Sequence, residues 1–528
     1  MDSIARHILD LHRRGALRGA LGLAALAALG PARAQQGLPI FRAHPFPLGV
    51  ASGDPLPDGV VLWTRLAVDP MASMGGLPHA AFPVEWEVAD DDRFTRIVQR
   101  GMELARPELG FSIHAEVGGL TPARGYFYRF RAGREVSRVG RTRTAPAPDA
   151  MPERLRFVSA GCQHLEHGHF TAWRHVAEET DLDFVFHSGD YIYEYRGVQP
   201  GQPSSAPAIR SHVGDEIHTL DHYRQRYAQY HADPDMMAAH EAHPFIMSFD
   251  DHEVDNDWAG AFSEEAGRPP YPIAVPPEVF ALRKQAAFQA WWENMPLRRA
   301  QLPQGPSITA YRRLDYGRLA RLHVLDTRSW RDDQPCGGTP AVQHPCEALS
   351  RADQHMLGMP QEAWLMDGLN GATWNILAQQ VLVMPRDLPG GLVNVDKWDG
   401  APAARDRLLR GIAQRRLGGA VVLTGDSHNA WVADLKLGNA VVATEFAATS
   451  ITSAGDGNEA LATTPELLRR NPHIHFHSAR RGYSLHDATP QRMAVTQRVV
   501  PYVTRPGAPR EDRGVFVTEA GRPGVQRG

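Results

Sequence analysis

Short apolar runs separated by turn residues predict a small β-sandwich over residues 37–147. Residues 59–64 and 126–130 concentrate apolar side chains over lengths typical of strands, and a turn signal at residues 52–55 precedes the first of these runs. This spacing is typical of an all-β domain of the immunoglobulin- or fibronectin-like kind. The pattern changes after residues 144–149, a Pro-containing stretch that we interpret as a linker.

Beyond the linker, strands alternate with helical stretches, which predicts a larger layered α/β (α+β) domain over residues 152–504. Six apolar strands in this region each end in a polar cluster. The clusters are Cys162-Gln163-His164, Gly189-Asp190, Asp250-Asp251-His252-Glu253, Asp326-Thr327-Arg328, Gln379-Gln380 and Gly425-Asp426-Ser427-His428. Because open α/β sheets bind ligands beyond the carboxyl ends of their strands, the pattern predicts one shared site.

The length of 528 residues exceeds one ordinary core and supports two domains. Residues 505–528 are rich in Arg, Gly and Pro and lack periodicity. We therefore expect a C-terminal tail that is either disordered or draped over the larger domain.

The first 34 residues have the features of an export signal. Arg13 and Arg14 precede an apolar run at residues 19–30 and a small-residue cleavage motif at residues 32–34. The paired arginines favour the twin-arginine export machinery as a partner, with ordinary Sec export as the alternative. No other window is apolar for long enough to cross a membrane. We therefore expect a mature protein without a transmembrane segment, in the periplasm or secreted.

Charge excludes one class of partner. The formal net charge is -4, and because residues 1–34 carry five Arg against two Asp, their removal takes it to -7. A net-acidic mature protein is a poor candidate for binding nucleic-acid backbones.

Three cysteines are present. Cys336 and Cys346 lie ten residues apart in a loop with Gly and Pro, and in an oxidising compartment they can form a disulfide. Cys162 is left over, and a lone thiol in an exported protein is either buried and inert or a ligand.

The segment Asp190-Tyr191-Ile192-Tyr193 follows an apolar strand and places a carboxylate and a phenol three residues apart. Asp190 can bridge two cations, and ionised phenolate from Tyr193 is a ligand that ferric iron accepts better than zinc or magnesium. The alternative is a strand-end turn with a buried tyrosine.

Together the clusters resemble the metallophosphoesterase blocks D-x-H, G-D-x-x-Y or G-D-x-x-D, G-N-H-E and G-H-x-H. Here the first Asp is replaced by Cys162, the Asn before His252 by Asp251, and the first His of the last block by Asp426. With these departures the chain resembles the PhoD-like alkaline phosphatase family. The resemblance covers nearly the whole mature chain, including residues 46–55, 250–260 and 444–453.

The resemblance implies a phosphoesterase that depends on Fe(III) and Ca(II). Cys162, Tyr193 and His428 supply soft, phenolic and imidazole donors for iron, with Asp190 as the bridging carboxylate. Asp251 and Asp426 supply hard oxygens that suit calcium. Asn256 is a further calcium candidate, and a helix-cap or turn role is its alternative.

Two further roles concern the substrate. By its position in the D-H-E block, His252 is the candidate acid for the leaving-group oxygen, and a buried structural histidine is the alternative. Arg328 is a candidate clamp for a substrate oxygen, and a salt-bridge partner is the alternative.

The leading hypothesis is an exported metal-dependent phosphoesterase that hydrolyses small phosphomonoesters and phosphodiesters and releases phosphate. The alternatives are a phosphodiesterase or phospholipase D-like preference, a non-catalytic surface-binding protein with a retained metal site, and a redox iron protein. The calcium-type carboxylates argue against the redox protein, because electron transfer has no need of hard spectator cations.

Overall fold

The computed structural model describes residues 39–198, 206, 208–268, 271–338 and 340–528. The predicted export signal at residues 1–34 lies outside the described residues. Among the helices that the structure describes, none is both long and apolar enough to cross a membrane.

The N-terminal domain consists of two antiparallel sheets that face each other. β2 pairs with β1 and β5 in one sheet, whereas β3 pairs with β4 and β6, and β6 with β7 and β8, in the other. Apolar side chains of both sheets form one core. The immunoglobulin- or fibronectin-like description stays a prediction. The strands are β1 Val50–Leu56, β2 Gly59–Arg65, β3 Phe82–Ala89, β4 Ile97–Ala105, β5 Ser112–Val117, β6 Gly125–Ala132, β7 Glu135–Val136 and β8 Gly140–Arg143.

The larger domain is built on two mixed sheets. Its strands are β9 Leu155–Ala160, β10 Phe184–His187, β11 Pro244–Met247, β12 Ala266–Arg268, β13 Tyr271–Ala274, β14 Arg312–Tyr316, β15 Ala320–Val324, β16 Val342–Gln343, β17 Trp374–Ala378, β18 Val393–Asn394, β19 Ala420–Thr424, β20 Ala430–Leu437, β21 Ala440–Ala447, β22 Gly457–Asn458, β23 Ile474–Ala488, β24 Arg492–Val500, β25 Glu511–Glu519 and β26 Arg522–Arg527.

Backbone pairing defines the order of both sheets. In the first sheet β11, β10 and β9 are parallel neighbours, followed by β23, β24, β25 and β26 in antiparallel pairs. In the second sheet β14, β15, β17, β19, β21, β20 and β23 follow one another. The long strand β23 therefore belongs to both sheets. β1 pairs in parallel with β11, so the first sheet continues into the N-terminal domain.

Apolar side chains fill the space between the two sheets, and helices cover their outer faces. Strands β10, β17 and β19 are buried on both faces, which explains why their sequences are continuous apolar runs. The helices are α1 Thr171–Ala177, α2 Leu220–His231, α3 Pro234–Ala242, α4 Pro277–Asn294, α5 Gly358–Gly368, α6 Pro402–Gln414 and α7 Thr464–Arg470. The predicted layered α/β architecture is confirmed.

Buried polar contacts fix the N-terminal domain to the larger one. The Trp63 indole donates a hydrogen bond to the Glu293 carbonyl over 2.9 Å, and its ring stacks on His231. Asp54 accepts two hydrogen bonds from Arg312, at 2.8 and 2.7 Å. The two domains are therefore joined by specific polar contacts.

The C-terminal residues form the two strands β25 and β26 and not an irregular tail. β25 pairs with β24 along most of its length, and Phe516 is buried against Phe476. Backbone pairing with an existing sheet edge outweighs the weak local pattern of Arg, Gly and Pro. Pro523 lies in the last strand, β26, where a missing N–H is tolerated.

Candidate metal centre

The carboxyl ends of three strands of the first sheet and one strand of the second place polar side chains close together. Cys162 follows β9, Asp190 follows β10, Asp251 follows β11, and Asp426 with His428 follows β19. Cys162, Asp190 and His428 offer ligand atoms within 4.8 Å of one another, and so do Asp190, Asp251 and His252, and Asp250, Asp251 and Asp426. Because Asp190 and Asp251 each belong to two of these groups, the groups form one continuous cluster.

The backbone of four cluster residues lies in the left-handed region. Cys162, Asp190, Asp426 and His428 have φ angles of 57°, 55°, 60° and 54°. Non-glycine residues occupy this region at a cost, and such residues concentrate at functional sites. These sharp turns direct the side chains toward a common centre.

Glycines allow the turns to approach one another. A Cβ atom on Gly189, which has a φ of +115°, would overlap the backbone nitrogen of Asp250. A Cβ on Gly161 or Gly425 would overlap the hydroxyl of Ser188. The strand-end turns are therefore in close contact because three positions carry no side chain.

The first group combines sulfur, phenol, carboxylate and imidazole. The Tyr193 hydroxyl donates to Asp190 Oδ2 over 2.9 Å and lies 3.2 Å from His428 Nε2. Ser453 Oγ lies 2.6 Å from the same hydroxyl. Cys162 is a free, buried cysteine, and its Sγ accepts the Asp426 N–H over 3.2 Å. The structure thus brings together the four residues predicted for iron.

The carboxylates of Asp250, Asp251 and Asp426 surround Arg328. Its guanidinium has no exposed surface and donates to Asp250 Oδ1 over 2.6 Å and to Asp396 Oδ1 over 2.7 Å. Nη2 lies 3.6 Å from both Asp251 Oδ1 and Asp426 Oδ1. These contacts agree with the salt-bridge alternative, and the role of Arg328 as a substrate clamp stays a prediction.

His252 lies at the edge of the first group. Its Nδ1 is 2.8 Å from Glu194 Oε2, and its ring contacts the Tyr193 ring with 4.1 Å between centroids. Although burial lowers the pKa of His252, Glu194 and the carboxylates of Asp251 and Asp190 raise it well above its usual value. The contact with Glu194 also orients the ring.

The hydrogen bonds of Asn256 go to residues outside the proposed metal ligands. Its side-chain amide donates to Glu264 Oε1 over 2.7 Å, and its backbone N–H donates to Glu194 Oε1 over 2.9 Å. A calcium-ligand role for Asn256 stays a prediction. Cys336 and Cys346 form a disulfide bond in the structure.

The surroundings of Cys162, Tyr193 and His428 disfavour the charged forms of these side chains. Burial raises the pKa of the Cys162 thiol well above its usual value, and Asp190 and Asp426 raise it further. Burial and then Asp190 likewise raise the pKa of Tyr193. Burial, followed by Arg481, lowers the pKa of His428 to about 3. A thiol and a phenol in this setting ionise only when a cation compensates their charge.

The donor set fits a metal centre. Asp190 Oδ1, Asp250 Oδ2 and Asp251 Oδ1 are buried and have no hydrogen-bond partner among the described residues. Unpaired buried carboxylate oxygens are costly unless a cation satisfies them. The sulfur, phenol and imidazole on one side and the carboxylates on the other suit cations of different hardness.

Three supporting residues escaped the sequence reasoning. Glu253 accepts backbone N–H groups of Asp190, Tyr191 and Asp250 at 3.1, 2.6 and 2.9 Å and so holds two turns together. Asp396 binds Arg328, which lies among the clustered carboxylates, and Lys397 contacts Asp426. Glu253 lies in the D-D-H-E block, and nothing in the sequence distinguishes its supporting role from the roles of its neighbours. For Asp396 and Lys397, the adjacent opposite charges beside Trp398 were the one feature of the sequence that indicated a buried ion pair.

Comparison with protein families decides the assignment of the chain. The model of the PhoD-like phosphatase family matches residues 157–497, and the model of that family's N-terminal domain matches residues 32–146. The chain belongs to the PhoD-like phosphatase family. As a member of this family it is a phosphoric ester hydrolase, and the resemblance inferred from the motifs is confirmed.

Individual relatives agree with the family assignment. The chain is 43% identical to alkaline phosphatase D of Bacillus subtilis (strain 168) over 499 residues, which cover 93% of this chain and 83% of that protein. A solved structure of PhoD matches with a TM-score of 0.87 and 43% identity over 93% of each chain. The PhoD-like chain described here therefore shares the fold of that enzyme across both domains.

A more distant structure has a similar fold. The purple acid phosphatase PPD1 from yellow lupin (Lupinus luteus) seeds matches with a TM-score of 0.53 and 13% identity, over 89% of this chain and 74% of that chain. This likeness concerns the fold alone.

Proposed function

We propose that this protein is an exported phosphoesterase that hydrolyses phosphomonoesters and phosphodiesters and releases phosphate, with Fe(III) and Ca(II) as its metals. The observation that carries the proposal is the continuous cluster in which Asp190 links the Cys162 and His428 group to the Asp251 and Asp426 carboxylates. Such a cluster offers a soft and a hard position side by side.

Particular residues would hold each metal. Cys162, Tyr193 and His428 would hold Fe(III), with Asp190 shared between the metals, and Asp251 and Asp426 would hold Ca(II). Asn256 is proposed as an additional oxygen donor to calcium. When bound, two such cations lower the pKa of water and polarise a phosphoryl group.

The protein's own side chains would orient the reaction. Glu194 holds the His252 ring through Nδ1, so Nε2 is available to give a proton to the leaving-group oxygen. Arg328 fixes Asp250 and Asp396 and thereby the spacing of the neighbouring carboxylates. Burial of the cluster excludes water that would otherwise screen these charges.

Export to the periplasm or the medium completes the proposal. The paired Arg13 and Arg14 support the twin-arginine route, and the Cys336–Cys346 disulfide fits an oxidising compartment. Replacing both arginines by lysine should leave the protein in the cytoplasm, and cell fractionation measures this. Unchanged export of that variant would favour the Sec route.

The function is tested with a nitrophenyl phosphate monoester and a bis-nitrophenyl phosphate diester, with elemental analysis of the same sample. We expect bound iron, turnover that stops on calcium chelation, and colour from charge transfer between iron and its thiolate and phenolate ligands. A colourless, fully active enzyme would contradict the ferric assignment. No turnover at full metal loading would favour the non-catalytic binding protein.

Asp190 provides the sharpest single substitution. Because two ligand groups share this carboxylate, Asp190→Ala should reduce both ester hydrolysis activities below detection and lower the metal content. Asp353→Ala, which removes an exposed carboxylate paired with Arg351, is the matched control and should retain full activity. Turnover by Asp190→Ala would remove it as the bridging ligand.

A further inference from the structure

Lys397 lies beside the carboxylates of Asp396 and Asp426, and the proposed phosphoesterase mechanism gives it no role. Its Nζ donates to Asp396 Oδ2 over 3.0 Å and contacts Asp426 Oδ2. The side chain retains 10% of its surface exposed, whereas Arg328 on the other side of Asp396 has none. The ammonium group therefore lies next to a proposed metal ligand, and the side chain keeps a small exposed surface.

Neutralisation of Asp396 does not require this lysine. Oδ1 of Asp396 already accepts hydrogen bonds from Arg328 Nη1 at 2.7 Å, Arg331 Nη1 at 3.1 Å and Gln334 Nε2 at 3.0 Å. Arg328 is shared with Asp250, but Arg331 by itself supplies one positive charge for the Asp396 carboxylate. The positive charge of Lys397 is thus directed at Asp426 and at whatever binds beside it.

The backbone around Lys397 is firmly held. Trp398 is buried, its indole donates to Gln379 Oε1 over 3.3 Å, and its N–H donates to the Leu382 carbonyl over 3.1 Å. Gly400 packs so closely on the backbone of Val395 that a Cβ atom would not fit. The backbone that carries Lys397 is therefore fixed, and the contacts with Asp396 and Asp426 position its Nζ.

Lysine is rare in this chain. Of 56 Lys and Arg residues, only Lys284, Lys397 and Lys436 are lysines. Lys284 donates to the Gly260 carbonyl over 2.7 Å, and Lys436 is exposed. An ammonium group is a compact charge with three donors, whereas a guanidinium is a wide planar fork. At position 397 an ammonium group therefore takes up less space than a guanidinium would.

Another cation close to the cluster, Arg481, is more deeply buried than Lys397. Arg481 is 2% exposed, and its Nη atoms donate to the carbonyl groups of His428 and Ala479 and to Ser450 Oγ. Lys397 has two carboxylate partners, and its third donor has no partner among the described residues. Arg481 Nε and Arg328 Nη2 also lack a hydrogen-bond partner among the described residues, but Lys397 is the most exposed of these three basic side chains.

We propose that Lys397 binds a terminal phosphoryl oxygen of the substrate and favours phosphomonoesters over phosphodiesters. The inference rests on the proposed phosphoesterase function. A monoester carries close to two negative charges at neutral pH and above, because its second pKa is about 6, whereas a diester carries one. A charge-assisted hydrogen bond from a fixed ammonium to the additional anionic oxygen strengthens monoester binding selectively.

The test compares Lys397→Gln and Lys397→Met with the native enzyme on the nitrophenyl monoester and the bis-nitrophenyl diester. For both variants we expect the monoester kcat/KM to fall roughly tenfold to a hundredfold and the diester value to fall at least threefold less. Inhibition by inorganic phosphate should weaken in parallel. Iron and calcium content should stay at native levels. Lys436→Gln, which removes an exposed lysine, is the matched control and should change neither ester.

Two outcomes would overturn the inference. An equal fall in kcat/KM for both esters would mean that Lys397 does not bind the additional anionic oxygen of the monoester. Loss of metal from the variants would mean that it positions Asp426 as a ligand. Absence of turnover by the native enzyme would instead refute the proposed function, because the inference concerns only the ratio between two measurable activities.

Discussion

Individual residues at the strand ends carry the unusual backbone of this protein. Cys162, Asp190, Asp426 and His428 all have positive φ angles, and glycines at 161, 189 and 425 remove the side chains that would separate their turns. Each left-handed non-glycine residue costs about 1–3 kcal/mol, which the rest of the fold must offset. The cluster is thus pre-arranged by local geometry before any ligand contributes.

A substitution at Gly189 tests whether the close approach of the turns contributes to stability and to metal binding. Gly189→Ala places a Cβ against the backbone of Asp250 at a φ of +115°, so we expect a loss of about 2–4 kcal/mol of unfolding free energy and lower metal content. Gly371, with a φ of +73° and open space around it, is the matched control. Gly371→Ala should cost about 1 kcal/mol, because only the backbone preference changes. Urea unfolding measures both, and equal losses would show that close approach at 189 is unimportant.

The strands of the larger domain could be predicted from the sequence because their apolar runs are continuous. Five of the six polar clusters at the strand ends contribute side chains to the metal cluster or to the residues that hold it. Gln379 and Gln380 do not: Gln379 donates to Thr424 and Gln380 accepts from Thr327, so both bind neighbouring strand ends. A strand pattern does not reveal which polar side chains point below the surface. For the same reason Arg328 was open to interpretation as a clamp.

The C-terminal strands show where local pattern fails. The strand β25 is stabilised by pairing with β24 and by burial of Phe516, which is 2% exposed. Phe516→Ala should reduce the unfolding free energy by about 3–5 kcal/mol, because it leaves a cavity between the sheets. Val515→Ala, at a neighbouring side chain that is 37% exposed, should change it by less than about 0.5 kcal/mol. If the two variants unfolded at the same urea concentration, β25 would not contribute to the core.

At the scale of the whole molecule, histidines without charge lie at the contact between the domains. The His114 ring stacks on Trp292 with centroids 3.8 Å apart, and its Nδ1 lies 3.0 Å from the Leu297 carbonyl. Burial lowers the pKa of His114 to about 3. Protonation therefore favours the unfolded chain, where histidine has a pKa of about 6.5.

This contact predicts how stability depends on pH. The contribution of neutral His114 is fully present above pH about 6.5 and declines by about 1.4 kcal/mol per pH unit as the pH falls toward 3. His114→Phe should remove that part of the slope, and His79→Phe, at an exposed position, should leave it unchanged. Urea unfolding between pH 7 and pH 4 checks the prediction. Parallel slopes for His114→Phe and the native protein would contradict it.

The pairing of β1 with β11 has a consequence for the order of events during synthesis. Ser52 of β1 meets Pro244 of β11, which leaves the ribosome only after the whole N-terminal domain and the first two strands of the larger domain. During synthesis, β1 therefore lacks its backbone pairing with β11 until β11 has emerged from the ribosome. Nascent chains should therefore become resistant to protease at β1 only once residues beyond Met247 have emerged.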